Sequence, residues 1–207
     1  MPKNSLSHEA EEKIVKAART VFIKKGYKGA TTRDIAAEAG ITSPLLNYYF
    51  RSKENIFSIV YERAFNSLYS NVYHTIMGDA SLFEKIPALV DGLMKELVEN
   101  PDVPSFIFNE VTRSPEKLVE RFRSKMHLLE AYRDFSDSVY AEVEKGTIRS
   151  IRPITLLINI QSLCIYPFLA RPLLCEISNI SIREYMKILA HRRDEIIEMI
   201  EKDIRIK

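Results

Sequence analysis

Residues 30–57 read ATTRDIAAEAGITSPLLNYYFRSKENIF, and this stretch decides how the rest of the chain is understood. Ile35, Ala36 and Ala39 place a narrow apolar stripe on a short helix over about Thr32 to Ala39. Thr31 and Asp34 have the spacing of a capping box at its start. Gly40 can take the positive φ that ends it, and the apolar Ile41 plugs the turn. Thr42 or Ser43 caps a second helix, and Pro44 fits its first turn, where a missing N–H costs nothing. Leu46 and Phe50, four apart, are expected on its buried face. Ser52 then starts a third helix, with Lys53, Glu54 and Asn55 in its first turn.

Two short helices joined by a glycine turn describe a helix-turn-helix. In such a unit the second helix enters the major groove with its N-terminal residues against base edges. Those residues are Thr42, Ser43, Pro44 and Leu45, and Pro44 and Leu45 suit a thymine methyl. Asn47, Tyr48 and Tyr49 lie on faces that Leu46 and Phe50 leave open. On a buried helix both tyrosine hydroxyls would need partners. Thr32, Tyr48, Tyr49 and Lys53 are candidates for phosphate contacts, and Lys53 sits at a helix N-terminus, which favours anions. Arg33 can reach a guanine, or pair with a phosphate or with Asp34. A plain helical hairpin inside an all-α core is the blander reading of the same pattern.

The register Thr32-Arg33, Ile35-Ala36, Ala39-Gly40-Ile41-Thr42, Tyr49-Phe50 and Lys53-Glu54 resembles the N-terminal domain of the tetracycline-repressor (TetR) family of bacterial regulators. Asn47 departs from the tyrosine usual in that family; asparagine can still donate to phosphate or pair with adenine. The resemblance implies an all-α protein of nine helices. A three-helix DNA-binding head would occupy residues 1–52, and a six-helix ligand-binding and dimerisation body residues 53–207, with helix 53–77 connecting the two. It further implies a homodimer through helices at about 153–170 and 181–202, a double-stranded palindromic DNA operator, and a small-molecule effector acting on a repressor.

The totals agree with this division. The 207 residues are 46% hydrophobic and 28% charged, with only six glycines, values of a globular chain that favours helices. The net charge of +2 excludes a strongly basic nucleic-acid coat. Residues 1–57 nevertheless hold ten basic against six acidic residues, while the remainder hold 20 against 22. The basic bias therefore sits on the head. Cys164 and Cys175 match no zinc or redox spacing and are expected as buried thiols in a reducing cytoplasm. The N-terminus has no apolar signal core. The apolar run from Ile154 to Ala170 is interrupted by Asn159, Gln161 and Pro167 and falls short of the roughly 20 residues that span a bilayer. A buried helix and a cytoplasmic protein with no membrane contact are expected. His8, His74, His127 and His191 are scattered. No phosphate loop or nucleophile elbow appears, so no enzyme, metal or cofactor is expected.

Along the chain, a loose arm over residues 1–7 leads to a helix from about His8 to Lys25, with Ile14, Ala18, Val21 and Phe22 inward and Gly26 as its stop. Ile56, Val60, Ala64, Leu68, Val72 and Ile76 recur every four residues along a long helix. Further helices follow at 81–100, 103–113, 114–145, 153–170 and 181–202, with a poorly patterned segment before the last. Phe106, Asn109, Phe122, Met126 and Tyr166 are candidates to line an effector site, although such spacing equally describes ordinary core. The runner-up function is a helical small-molecule-binding or scaffolding protein whose head no longer binds DNA.

Overall fold

The computed structural model describes residues 3–76, 80–116, 119–120 and 125–206; Phe122 and the side chains of Val72 and Met126 lie outside the described residues. Ten helices are present among these: α1 (Lys3–Gly29), α2 (Thr32–Ala39), α3 (Ser43–Phe50), α4 (Lys53–Ile76), α5 (Leu82–Glu99), α6 (Val103–Arg113), α7 (Met126–Glu144), α8 (Pro153–Leu169), α9 (Arg171–Ser178) and α10 (Ile182–Ile204). The described residues contain no strand, only one isolated bridge between Ile148 and Arg205. The chain divides into two compact units. The first takes in residues 1–66 with 105–110, and the second residues 67–104 with 111–207.

Among the described residues seven helices rather than six follow the head, because the segment before Ser181 is helical. Pro172 sits in the first turn of α9, and Asn179 closes the helix in the left-handed region at φ 51°, ψ 43°. Two bonds complete that closure, Asn179 N–H to Glu176 O at 3.2 Å and Ile180 N–H to Cys175 O at 3.1 Å. Leu173 and Ile177 are exposed on α9, so no inward apolar stripe announced it. The helix expected over 114–145 is not continuous either: Lys125 leaves the helical region at φ −98°, ψ 69°, and α7 starts after it. At the other end of the chain, α1 is already helical from Lys3, where a loose arm was expected. Gly26 breaks it at φ 65°, ψ 173°, and a last turn runs on to Gly29.

The first unit is built on the expected stripes. Ile14, Ala18, Val21 and Phe22 of α1, Ile35, Ala36 and Ala39 of α2, and Ile56 and Val60 of α4 are all buried. Phe57 ties the cluster together, edge-on to Phe22 at 5.1 Å and 5.5 Å from Phe106.

In the second unit α5 is the hub. Its stripe Leu82, Ile86, Leu89, Val90, Leu93 and Leu97 is buried, against α7, α8 and α10. Charged side chains share that interior, Lys85 and Glu96 on α5 among them. Lys85 is 2% exposed, and its ammonium donates to Asp134 Oδ2 at 2.7 Å and Ser138 Oγ at 2.9 Å on α7. Ser181 and Glu184 cap α10 reciprocally. Cys164 and Cys175 are buried free thiols; burial pushes the Cys164 thiol up to about 12. No single helix among the described residues is long and apolar enough to cross a membrane; only α8 and α9 together pass that test, and they are bent by 69°.

Candidate nucleic-acid interface

Helix α2, which leads into the turn before α3, is fixed at both ends by hydrogen bonds the sequence encodes. Asp34 N–H donates to Thr31 Oγ1 at 3.1 Å, and Thr31 N–H donates back to Asp34 Oδ2 at 3.0 Å. Lys25 adds an ion pair to Asp34 at 2.8 Å. Lys25 first, then the Thr31 hydroxyl and N–H, hold the Asp34 carboxyl down to about 2 from 3.8. The cap is therefore complete above pH ~4 and is lost as pH falls toward 2. At the other end Gly40 takes φ 64°, ψ 39°. Its N–H reaches Ala37 O at 3.1 Å, and Ile41 N–H reaches Ala36 O at 2.9 Å, the paired closure that turns the chain sharply.

Helix α3 starts from Thr42, whose Oγ1 accepts from Leu45 N–H at 3.4 Å. Pro44 sits in its first turn. Leu46 and Phe50 point inward and are buried. What remains is an outward ridge: Thr42, Pro44 and Asn47 are exposed, Leu45 is 42% exposed and Tyr48 81% exposed. Ser43 and Tyr49 are half-buried at its flank. The two tyrosine rings meet edge-on at 5.6 Å, so each restrains the other. On α2, Thr32 is half-buried and Arg33 exposed. Asp34 faces Lys25, which leaves Arg33 directed to solvent.

Lys53 is engaged differently from what its position in the sequence suggests. Its ammonium donates to Tyr27 O and Ala30 O, each at 3.0 Å, and lies 4.4 Å from the centre of the Tyr27 ring. The Tyr27 hydroxyl in turn donates to the Glu54 carboxylate. Lys53 thus clasps the end of α1 to the start of α4. Lys53→Ala is expected to lower head stability by about 1–2 kcal/mol, because two carbonyls lose a charged donor. Urea denaturation checks this; unchanged stability would show the clasp to be idle.

The residue that sequence reasoning missed is Arg51. It closes α3 at φ 60°, ψ −39°, and Ser52 N–H reaches Phe50 O at 2.6 Å. This is a tight three-residue turn of the hand that costs about 1–3 kcal/mol for a residue with a Cβ. The available signal was a helix stop without a glycine. Ser52 then caps α4, accepting from Asn55 N–H at 3.1 Å.

The second unit contains an apolar cavity of about 290 Å³ lined by Tyr69, Leu128, Leu129, Tyr132, Phe135, Ile154, Leu157 and Gln161, among others. Burial pushes the Tyr69 phenol up, so it keeps its proton. None of Phe106, Asn109 and Tyr166 lines this cavity. Phe106 is core of the first unit, in ring contact with Phe57 and Tyr61. Asn109 is exposed and belongs to the same unit. Tyr166 is exposed on α8. Phe122 and the Met126 side chain lie outside the described residues.

Residues 14–59 match the family described as bacterial regulatory proteins, tetR family. The HTH-type negative transcriptional regulator IcaR of the Staphylococcus aureus biofilm operon icaADBC is 29% identical over 135 residues, 65% of this chain and 61% of that protein. The HTH-type transcriptional activator FasR of Mycolicibacterium smegmatis is 26% identical over 109 residues, 52% of this chain and 50% of that one. The chain thus spans less than two thirds of these curated relatives. The fold is shared along nearly the whole chain with the ketosteroid transcriptional regulator KstR2 of Mycobacterium tuberculosis, at 15% identity, with a TM-score of 0.70 over 99% of this chain and 97% of that one. A TetR-like transcriptional regulator from Rhodococcus sp. RHA1 superposes with a TM-score of 0.59 at 16% identity, over 90% and 94%. The head over residues 14–59 is thus similar to the tetR family of bacterial regulatory proteins, and nearly the whole chain has the fold of these solved regulators.

Proposed function

We propose that the protein is a ligand-responsive transcriptional regulator, a repressor acting in the cytoplasm, that binds a palindromic DNA operator as a homodimer. The observation that carries this reading is the outward ridge of α3, where Pro44, Leu45 and Tyr48 stand exposed beside buried Leu46 and Phe50. Thr42, Ser43, Pro44, Leu45 and Asn47 meet base edges. Thr32, Arg33, Tyr48 and Tyr49 meet the phosphate backbone and set the register. Lys53 acts through the clasp it makes. Selection from a random pool of duplex DNA tests the reading. The expected product is an inverted repeat whose half-sites lie about one helical turn, or a multiple, apart. A pool that stays random would leave a head that does not read DNA.

The dimer reading rests on apolar surface that one chain leaves uncovered. Ile154, Ile158 and Tyr166 of α8 and Ile188 and Met199 of α10 are exposed. A shallow hollow of about 490 Å³ lies between these helices, with Leu156, Ser162 and Leu163 on one side and Met199 and Ile200 on the other. Two such pairs, one from each chain, would form a four-helix interface. The double change Ile158→Glu and Ile188→Glu is expected to leave monomers in sedimentation at micromolar concentration. Dimers that persist would move the interface elsewhere.

The effector site is the 290 Å³ cavity. Its walls suit a mostly apolar molecule with one or two groups that hydrogen-bond to Gln161 or the tyrosine hydroxyls. A ligand can shift operator affinity only by its preference between two states of the protein.

A further inference from the structure

Among the described residues, two that are not glycine have positive φ, Arg51 and Asn179. Asn179, at ψ 43°, lies in the left-handed helical basin, which asparagine enters at little cost. Arg51, at ψ −39°, lies outside that basin. At the three other left-handed positions, Gly26, Gly40 and Gly146, the chain uses glycine. A glycine at position 51 would remove the strain. An exposed arginine stands there instead, one residue beyond the helix that carries Tyr48 and two before the engaged Lys53.

We propose that Arg51 is a DNA-phosphate ligand, and that its strained turn holds a cation at the foot of α3 because the ammonium of Lys53 is committed to Tyr27 O and Ala30 O. A guanidinium suits such a contact because it stays charged and offers a planar pair of donors to two phosphate oxygens. Strain kept at an exposed residue where glycine would serve is best accounted for by a use for the side chain. This inference rests on the DNA-binding reading above and adds one contact to it.

The test compares wild type, Arg51→Gly, Arg51→Gln and Arg51→Lys on the operator selected by the wild type, with affinity measured across a salt series. Arg51→Gly should raise the melting temperature by about 2–4 °C as the turn relaxes. It should also weaken operator binding about tenfold and lower the salt slope by about one unit. Arg51→Gln keeps the strained backbone and should lose the same affinity and slope without the gain in melting temperature. Arg51→Lys should keep the slope. Lys53→Ala separates the two cations, since its salt slope should match wild type. Wild-type affinity and slope in Arg51→Gly would overturn the proposal while DNA binding itself stood. A wild type that selects no operator would instead remove the reading on which it rests.

Discussion

The double variant Leu45→Ala, Tyr48→Ala is expected to lose about a hundredfold in operator affinity, roughly 2.7 kcal/mol, with the fold intact. Both side chains are exposed on α3, so truncation removes little buried surface; exposed substitutions usually stay within about 0.5 kcal/mol of wild-type stability. In the complex both would be covered, Leu45 against a base edge and Tyr48 against the backbone. Covering the leucine is worth about 1.5 kcal/mol and the tyrosine's hydrogen bond about 1 kcal/mol. The neighbouring Leu46 gives the contrast. It is fully buried, and Leu46→Ala should cost about 2–5 kcal/mol of stability, enough to unfold a small head. Fluorescence anisotropy with the selected operator, run beside thermal melts, separates the two effects. Unchanged affinity in the double variant would mean that the ridge does not meet DNA.

In the second unit, a large loss of stability is expected at the ion pair between α5 and α7. Asp134→Ala removes the carboxylate that the Lys85 ammonium faces at 2.7 Å. The lysine side chain is 1% exposed and cannot recover water, so an uncompensated charge stays among apolar side chains. The aspartate is 35% exposed, and Ser138 still accepts from the ammonium. Both soften the penalty, to about 2–3 kcal/mol. Lys85→Met is expected to be near neutral, because it removes the buried charge while the aspartate left behind is 35% exposed and keeps water. Urea denaturation of the two variants should therefore give unequal losses. Equal losses would mean that the ion pair itself, rather than the stranded charge, sets the energy.

How far the sequence could be read depended on whether the deciding force was local. The cap at Thr31 and Asp34, the stop at Gly40 and the start at Thr42 and Pro44 act within four residues, and each is visible as a residue type at a fixed spacing. The buried faces of α1, α2, α3 and α5 followed from period alone. Helix α9 did not, because Leu173 and Ile177 face outward and leave no inward stripe to detect. The role of Lys53 was hidden because its partners, Tyr27 O and Ala30 O, are more than twenty residues away. Arg51 escaped because no glycine marks the end of α3. In the body, aromatic residues at helical spacing did not tell cavity from core. Tyr132 lines the cavity, whereas Phe106 is packed into the first unit.

The central claim is that the exposed edge of α3 lies against base pairs. A photo-crosslinking amino acid at position 48, with one at the exposed Ala37 of α2 as reference, tests it most directly on the selected operator. The account predicts crosslinks from position 48 to nucleotides of both half-sites, in the major groove and symmetric about the operator centre. Crosslinks from position 37 alone, or from neither position while the operator stays bound, would contradict it.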